Sequence, residues 1–248
     1  MATTINELHQ LRETSQHKRM VVELIGTAGV GKSTLFNTLI NKKLPWIIGD
    51  DVPPVWRISA AQFYIKNIIR LVPTLVRIIG NGGRLLTRRE LAFMAILNGW
   101  HEVLQKKVNN SSRIVLLDQG PISIIAYLTV WGPKSLFKSN MDKWWEKVYV
   151  NFKQTMDMVI WLDTSDETII KRINNRPQGH HLKGESEQVT GFWLARYRSL
   201  YEQIVSNLIN NNNHKIHVVQ INSGIYSAHE IADKVLQEFS LATRDNYQ

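Results

Sequence analysis

The chain has 248 residues, 44% of them hydrophobic, which suits one α/β domain or such a domain with an inserted helical part. It contains no cysteine, which excludes disulfides, zinc–thiolate sites and thiol catalysis. The formal net charge of +9 favours anionic ligands, namely phosphorylated small molecules, nucleic acid or an anionic membrane surface.

The N-terminal segment, residues 1–18, is predicted to be a short helix or a tail. It is polar and charged and lacks the apolar core of a signal peptide. No apolar run elsewhere in the sequence approaches the length of a membrane span. We therefore expect a cytoplasmic protein.

A phosphate-loop pattern follows this segment. Residues 21–25 are an apolar run typical of a buried parallel strand, and residues 33–39 predict a helix. Residues 26–34 between them, GTAGVGKST, fit G-x-x-x-x-G-K-[ST], whose backbone N–H groups and helix N-terminus hold a polyphosphate. We expect Lys32 to reach the β- and γ-phosphates and the Ser33 hydroxyl to ligate Mg²⁺. The predicted nucleotide-binding residues are Gly26, Ala28, Gly29, Val30, Gly31, Lys32, Ser33 and Thr34.

Residues 59–110 have helical periodicity and predict an inserted helical layer on the acceptor side of the domain. Two helices are expected there, at 59–79 and 87–107, with Pro73 kinking or splitting the first and an interruption of the second near Gly99. The first helix carries basic residues between its apolar positions. Such a helix can also lie on a membrane or a partner, but a core face opposite a solvated basic face is the preferred interpretation.

The rest of the chain alternates strands with helices, which predicts an α/β fold with a doubly wound parallel sheet in a single domain over residues 1–248. Strands are predicted at 113–117, 158–162 and 216–221, and helices at 122–131, 143–156, from about 166, 187–208 and 228–239. A fainter strand at 46–48 or 55–58 would bring the sheet to about five strands.

Several acidic residues are candidates for the site. Asp118 follows the strand at 113–117, at the sheet edge where ligands of open α/β sheets bind. Its carboxylate could hold a Mg²⁺-bound water or accept a proton from an attacking hydroxyl, although it could also simply begin the next turn. Asp50 and Asp51 could approach an acceptor or a metal-bound water, and a solvated loop is the commoner role of such a pair. Glu23, in the first strand, is expected to face the acceptor site or to pair with an arginine such as Arg57.

Residues 171–186 are basic and predict a lid. Arg172 and Arg176 are four residues apart and share a helix face if the helix persists, and their forks suit phosphate oxygens. We expect them to close over the nucleotide and to stabilise transition-state charge; the alternative is a solvated basic loop. His180 and His181 have no accompanying metal-ligand spacing, so we assign them no metal.

The chain resembles the thymidylate kinase and deoxynucleoside kinase branch of the P-loop kinases. The resemblance rests on GTAGVGKST, on LLDQGP, on WLDTSDETIIKRINNR followed by HHLKG, and on FWLARYRSLYEQI. In that family an arginine follows the aspartate of the second motif, whereas Gln119 stands here. Family-like motifs cover residues 20–39 and 113–201, and the acceptor identity does not carry over.

The resemblance implies a P-loop NTPase fold and transfer of the γ-phosphate of ATP to an anionic or nucleoside-like small molecule. The implied cofactors are ATP and Mg²⁺, with the metal ion held by Ser33 and, through water, by Asp118. The implied catalytic residues are Lys32, Asp118, Arg172 and Arg176.

Other functions remain open at this point. A GTPase would need D-x-x-G after a strand and a later N-K-x-D, and the sequence has neither. A nucleotide-binding regulatory or membrane-associated module that transfers no phosphate is a second alternative. Specific nucleic-acid binding is not expected, because no reading motif accompanies the dispersed positive charge. Peripheral membrane contact is less favoured, and a homodimer is left open.

Overall fold

The computed structural model describes residues 19–50, 58–111, 114–177, 179–209 and 216–244. The predicted segment at residues 1–18, Asp51 and Arg57 lie outside these ranges. Within them, no helix is long and apolar enough to cross a membrane.

Five parallel strands form the central sheet, in the order β2-β3-β1-β4-β5. The strands are β1 (Met20–Ile25), β2 (Ile47–Asp50), β3 (Ile114–Leu117), β4 (Met158–Asp163) and β5 (His217–Asn222). Every residue of β1 and β3 is buried, as expected for apolar strands covered by helices on both faces. The predicted α/β fold with a doubly wound parallel sheet is confirmed. The faint strand lies at Ile47–Asp50, whereas Ile58 begins a helix.

Helices cover both faces of the sheet. They are α1 (Lys32–Asn41), α2 (Ile58–Gly80), α3 (Arg88–Ser111), α4 (Pro121–Trp131), α5 (Asp142–Lys153), α6 (Asp166–Asn175), α7 (Glu187–Ile209) and α8 (Ala228–Arg244), with two 3₁₀ turns at Lys134–Phe137 and Ser139–Met141. One face buries a large core that includes Trp100 of α3 and Phe152 of α5. The other buries Leu35 and Leu39 of α1 against Val235 of α8.

The helical segment between β2 and β3 is more regular than the sequence suggests. Helix α2 runs through Pro73 as one element, so the segment is not split in two. Helix α3 runs unbroken through Gly99, and the predicted interruption there is wrong. A Cβ on Gly99 would overlap the side chain of Asn67 in α2, which itself receives a hydrogen bond from Asn98 at 3.2 Å. Glycine therefore serves a close helix–helix contact rather than a break.

Glu23 is fully buried in β1 and holds the turn that follows β3. Its carboxylate accepts hydrogen bonds from the backbone N–H groups of Gly120, Ile122 and Ser123 and from the Ser123 hydroxyl, at 2.9–3.1 Å. Burial raises the pKa of Glu23 to about 7, although these hydrogen bonds act in the opposite direction. The expectation that Glu23 faces the acceptor site is wrong, because Glu23 is fully buried. Among the described residues its hydrogen-bond partners are the donors of a turn, because the first N–H groups of α4 have no partner within their own helix. The pairing with Arg57 lies outside the described residues.

Replacing Glu23 with alanine should destabilise the fold more than removing any single one of its hydrogen-bond donors. Glu23→Ala leaves several buried donors without an acceptor, and we expect a loss of at least about 3 kcal/mol in the free energy of unfolding. The control Ser123→Ala removes the hydroxyl donor alone and should cost about 1 kcal/mol. Urea unfolding at neutral pH measures both values. A cost for Glu23→Ala no greater than that for Ser123→Ala would contradict this role.

Candidate active site

A cleft of about 1210 Å³ opens at the carboxyl edge of the sheet. The phosphate loop between β1 and α1 forms its floor, and Asp118, Gln119, Arg172 and Arg176 line it. The structure thus brings the predicted catalytic residues and the predicted nucleotide-binding residues, except Gly26, to one cavity. The carboxyl ends of parallel strands lie at one edge of the sheet, which explains this placement. Asp50 ends β2 beside Leu117, at this same edge.

The phosphate loop requires glycine where its backbone turns. Gly26 has a φ of 140°, and a Cβ there would overlap the carbonyl oxygen of Leu162 in β4. Gly31 has a φ of 105° and immediately precedes α1. These left-handed conformations favour glycine and let the loop wrap around the N-terminus of α1.

Lys32 lies in the first turn of α1 with its amine folded back on the loop. Its Nζ donates to the carbonyl oxygens of Gly26 and Thr27 at 2.6 and 3.0 Å. Burial lowers the pKa of Lys32 to about 8; the carboxylate of Asp118 acts to raise it and the charge of Arg176 to lower it. The Lys32 amine is therefore held at the phosphate loop, where the negative charge of a bound ligand would stabilise its protonated form.

Ser33 and Asp118 meet across the strand ends. The Ser33 hydroxyl donates to Oδ2 of Asp118 at 2.8 Å, and Asp118 directly follows β3. These are hard oxygen ligands, and Mg²⁺ is typically bound through one or two protein oxygens together with substrate phosphates and waters. In the described part of the chain no group of three or more His, Cys, Asp or Glu side chains could form an all-protein metal cage. The pair therefore fits a nucleotide-borne Mg²⁺ better than a resident metal.

Arg172 lies within α6 and ties the phosphate loop to the segment after β5. Its guanidinium donates to the carbonyl oxygens of Val30 and Ser223, at 3.2 and 2.9 Å, and to the Ser223 hydroxyl at 3.2 Å. The Ser223 hydroxyl in turn donates to the Val30 carbonyl at 2.7 Å. Arg172 therefore both lines the cleft and supports the loop that forms its floor.

Arg176 stands just beyond the end of α6. The helix ends at Asn175 and Arg176 has extended backbone angles, so the helix does not persist to Arg176 and the two arginines do not share a helix face. Arg176 still lines the cleft, and its charge lowers the pKa of Lys32. The segment after it packs on the domain through Leu182, which is buried beside Ile173.

A cluster of aromatic side chains forms the other half of the cleft, and the sequence reading missed it. Trp131 at the end of α4 donates from Nε1 to the hydroxyl of Tyr197 in α7 at 3.0 Å. The Arg89 guanidinium, from the start of α3, lies 4.4 Å from the ring centroid of Tyr127. These residues, Arg89, Tyr127, Trp131 and Tyr197, are named the aromatic wall below. Aromatic residues on two predicted helices, at 122–131 and 187–208, were the available signal, but only the packing of these helices brings them together.

The paired histidines of the predicted lid pack against this wall. The ring of His181 lies edge-on to Trp131, with centroids 5.6 Å apart, and also contacts Trp193 at 6.3 Å. The two imidazole rings are 4.4 Å apart. Burial and then the neighbouring His181 lower the pKa of His180. The segment therefore spans the cleft from the phosphate side to the aromatic side.

Arg198 in α7 was also missed, and its role is structural. It donates to both carboxylate oxygens of Asp163 at 3.0 Å, to the Asp166 carboxylate and to the carbonyl oxygen of Thr164. Its partners occupy the end of β4 and the start of α6, where the Ser165 side chain accepts the first-turn hydrogen bond. Arg198 therefore fixes the base from which Arg172 and Arg176 project.

Neither a protein-family model nor a curated protein matches the sequence significantly. Among solved structures, deoxyadenosine kinase from M. mycoides with bound dCTP is similar at 20% identity and a TM-score of 0.46, with 88% of this chain and 100% of that chain covered. The same kinase with bound dATP gives 19% identity, a TM-score of 0.46 and the same coverage. The YorR protein from Bacillus subtilis in complex with phosphorylated GDP gives 16% identity and a TM-score of 0.49, with 90% of this chain and 96% of that chain covered. At these identities and TM-scores we assign function from the geometry of the site alone.

Nucleotide binding should weaken as the pH rises above about 8. The Lys32 amine of the free protein has a pKa of about 8, so it is protonated at neutral pH and loses its charge above that value. Because only the ammonium form attracts phosphate oxygens, affinity for MgATP should fall by up to about tenfold per pH unit above 8. Isothermal titration at several pH values measures the profile.

The matched control is Lys32→Arg, whose guanidinium stays charged throughout this range. Its affinity, whatever its absolute level, should be flat with pH. A flat profile in the parent protein, or an equal decline in Lys32→Arg, would show that Lys32 does not face the phosphates.

Proposed function

We propose that this protein is a phosphotransferase that moves the γ-phosphate of ATP to a nucleoside or nucleoside monophosphate. The observation that supports this most is the Ser33–Asp118 hydrogen bond of 2.8 Å, in a cleft that the phosphate loop and the aromatic wall both line. A nucleoside triphosphate on the loop and an acceptor on the wall would meet at this pair. A hydrolase needs the triphosphate site on the loop but no acceptor site on the wall.

On the donor side, the loop N–H groups and the α1 N-terminus would bind the polyphosphate chain. Lys32 would exchange its contacts with the Gly26 and Thr27 carbonyls for phosphate oxygens, whose negative charge would offset the burial that lowers its pKa. Ser33 and Asp118 would hold Mg²⁺, which when bound neutralises charge on the transferring phosphoryl group.

Asp118 is also placed to act on the acceptor. Its carboxylate accepts the hydrogen bond of Ser33 from the loop, and Gln119, the next residue, lines the same cleft. A carboxylate there can accept the proton of an attacking hydroxyl, or orient that hydroxyl toward the γ-phosphate. Glu23 holds the turn directly after Asp118, so the carboxylate is carried on a fixed backbone.

The acceptor half suits a flat, polar molecule. The rings of Tyr127, Trp131 and Tyr197 offer stacking surface, and Gln119 offers an amide NH₂ group as donor and a carbonyl oxygen as acceptor. Arg89 adds a positive charge beside this surface, which suits the phosphate of a nucleoside monophosphate. A nucleobase on the aromatic wall, with its sugar toward Asp118, satisfies these groups together.

A thermal-shift screen tests this proposal. Nucleosides, nucleoside monophosphates and other phosphorylated metabolites would each be added with and without a non-hydrolysable ATP analogue and Mg²⁺. A true ligand at a hundred times its dissociation constant stabilises the protein by about 2.7 kcal/mol. We expect one acceptor class to stabilise the protein further when the analogue is already bound. Stabilisation by the analogue alone, with no effect of any acceptor, would favour a nucleotide-binding module instead.

Removing the charge of Asp118 or Arg176 should slow transfer more than it weakens ATP binding. Asp118→Asn keeps the side-chain shape, and a positioned base contributes about 10²–10⁴-fold to the rate. An arginine that meets developing phosphoryl charge contributes about 10³–10⁵-fold, and Arg176→Lys should restore little of it because lysine lacks the bidentate fork. Single-turnover rates with saturating ATP and the acceptor from the screen measure both effects.

The control for this series is Lys143→Ala, which removes an exposed cation of α5, outside residues 171–186. It should turn over within about twofold of the parent rate, since surface charges away from the reacting groups contribute little. If Arg176→Ala reacts as fast as this control, the basic segment is a solvated surface and the lid proposal fails.

Arg89 should decide between charged and neutral acceptors. Arg89→Gln should weaken binding of a phosphorylated acceptor by about tenfold or more, the effect of losing one charge-assisted hydrogen bond, and should leave the matching nucleoside nearly unaffected. The neighbouring Arg88→Gln, at an exposed position of the same helix, is the matched control. Titration calorimetry with each acceptor measures the ratio. Equal losses for both acceptors would assign Arg89 a structural role.

A further inference from the structure

A second cavity shares Trp131 with the cleft. It has a volume of about 440 Å³ and lies between the turn after α2, residues 81–84, and the segment after α4, residues 132–138. This volume is within the range of pockets that hold small ligands. We name it the turn cavity. Because Trp131 lines both spaces, a ligand in the turn cavity would lie next to the aromatic wall.

Hydrogen bonds between the two walls hold the turn cavity in shape. On one wall Lys138 donates from Nζ to the carbonyl oxygen of Asn81 at 2.8 Å. From the other wall Arg84 donates to the carbonyl oxygen of Trp131 at 3.1 Å. The guanidinium of Arg84 is itself oriented by the buried carboxylate of Glu90, at 2.8 Å. The cavity is therefore preformed by specific contacts between the two segments.

Ser135 brings an unpaired hydroxyl to the wall of the turn cavity. The residue is only 3% exposed, and its Oγ has no hydrogen-bond partner among the described residues. The hydroxyl packs against Gly83, where a Cβ would overlap it. A buried hydroxyl without a partner costs free energy, so a ligand oxygen that accepts its proton would be favoured.

The charged side chains of the turn cavity are cations. They are Arg84, Lys134 and Lys138, and none of the described residues that line the cavity is acidic. Glu90 offsets the charge of Arg84. Lys134 and Lys138 are exposed, and within the described part of the chain neither forms an ion pair. Two ammonium groups beside an unpaired hydroxyl suit an anion with several acceptor oxygens.

We propose that the turn cavity binds a phosphate group, separately from the phosphate loop. Lys134 and Lys138 supply the charge, and Ser135 supplies a hydroxyl donor. The phosphate belongs either to a separate phosphorylated molecule or to a second phosphate of an acceptor that extends past Trp131. In both cases Trp131 connects the occupied cavity to the aromatic wall, through its ring and through the hydrogen bond from Arg84.

Backbone amide signals in ¹H–¹⁵N NMR spectra would locate the binding. The full chain would first be saturated with Mg²⁺ and a non-hydrolysable ATP analogue, and inorganic phosphate would then be added. The signals of Gly82, Gly83 and Ser135 should shift and saturate with a dissociation constant of about 1 mM, as expected for two charge-assisted hydrogen bonds. No saturable shift of these signals, or a shift confined to Gly31 of the phosphate loop, overturns the proposal.

Gly31 also keeps this test apart from that of the proposed function. If the ATP analogue leaves the Gly31 signal unmoved, nucleotide binding at the phosphate loop fails. The titration of the turn cavity is still read from its own signals in that case.

Charge-matched variants test the two lysines. Lys134→Gln combined with Lys138→Gln should weaken phosphate binding at least about tenfold, because it removes both charge-assisted hydrogen bonds. Lys143→Gln combined with Lys147→Gln removes the same charge at exposed positions of α5 and should bind phosphate like the parent. Equal weakening in the two double variants would make the effect one of net charge and would contradict the proposal.

A mixture of nucleoside 3′,5′-bisphosphates distinguishes the two sources of the phosphate. If it belongs to the acceptor, the bisphosphates should displace inorganic phosphate and also shift the indole Nε1 signal of Trp131. If it belongs to a separate molecule, inorganic phosphate should bind equally well in their presence. Bisphosphates that shift the signals of the turn cavity equally in the parent and in the Lys134→Gln, Lys138→Gln variant would show that the lysines hold no phosphate, which overturns the proposal.

Discussion

The burial of one carboxylate, Glu23, is the constraint on which the site depends. A parallel sheet places the ends of β1 and β3 side by side, but it does not by itself fix the turn that leaves β3. Glu23 does so by accepting hydrogen bonds from three backbone N–H groups of that turn, those of Gly120, Ile122 and Ser123. A Cβ on Gly120 would overlap the carboxylate, so the glycine and the acid require each other. This contact sets the direction in which Asp118 leaves the strand.

The two sides of the cleft next to this turn differ in chemistry, since one is cationic and the other is aromatic. The phosphate side gathers Lys32, Arg172 and Arg176, and burial, with a smaller effect of the charge of Arg176, lowers the pKa of Lys32. Arg172 is stabilised by carbonyl oxygens of the loop and of Ser223. The opposite side is aromatic, and His181 contacts it from the basic segment. A ligand that carries phosphate at one end and a flat ring at the other satisfies both sides at once.

The sequence predicted the parts of the fold that depend on local pattern. The glycine-containing loop, the apolar strands and the acid after β3 were all readable, because phosphate loops and buried strands have short sequence signals. The structure differs from the sequence-based prediction where the contacting residues are far apart in the sequence. Glu23 and Gly120 are 97 residues apart, and Gly99 is explained only by Asn67 on another helix. The aromatic wall was missed for the same reason, since Tyr127 and Tyr197 lie on helices whose packing no local pattern records.

Net transfer of phosphate tests the central claim most directly. The purified protein would be given ATP labelled with ¹⁸O in its γ-phosphate, together with Mg²⁺ and a mixture of nucleosides and nucleoside monophosphates, and the products would be followed by mass spectrometry. We expect the label to appear on one class of acceptor, and little free phosphate to form when no acceptor is present. Phosphate release that is undiminished without acceptor, with no labelled product, would contradict the account and identify the protein as an ATPase.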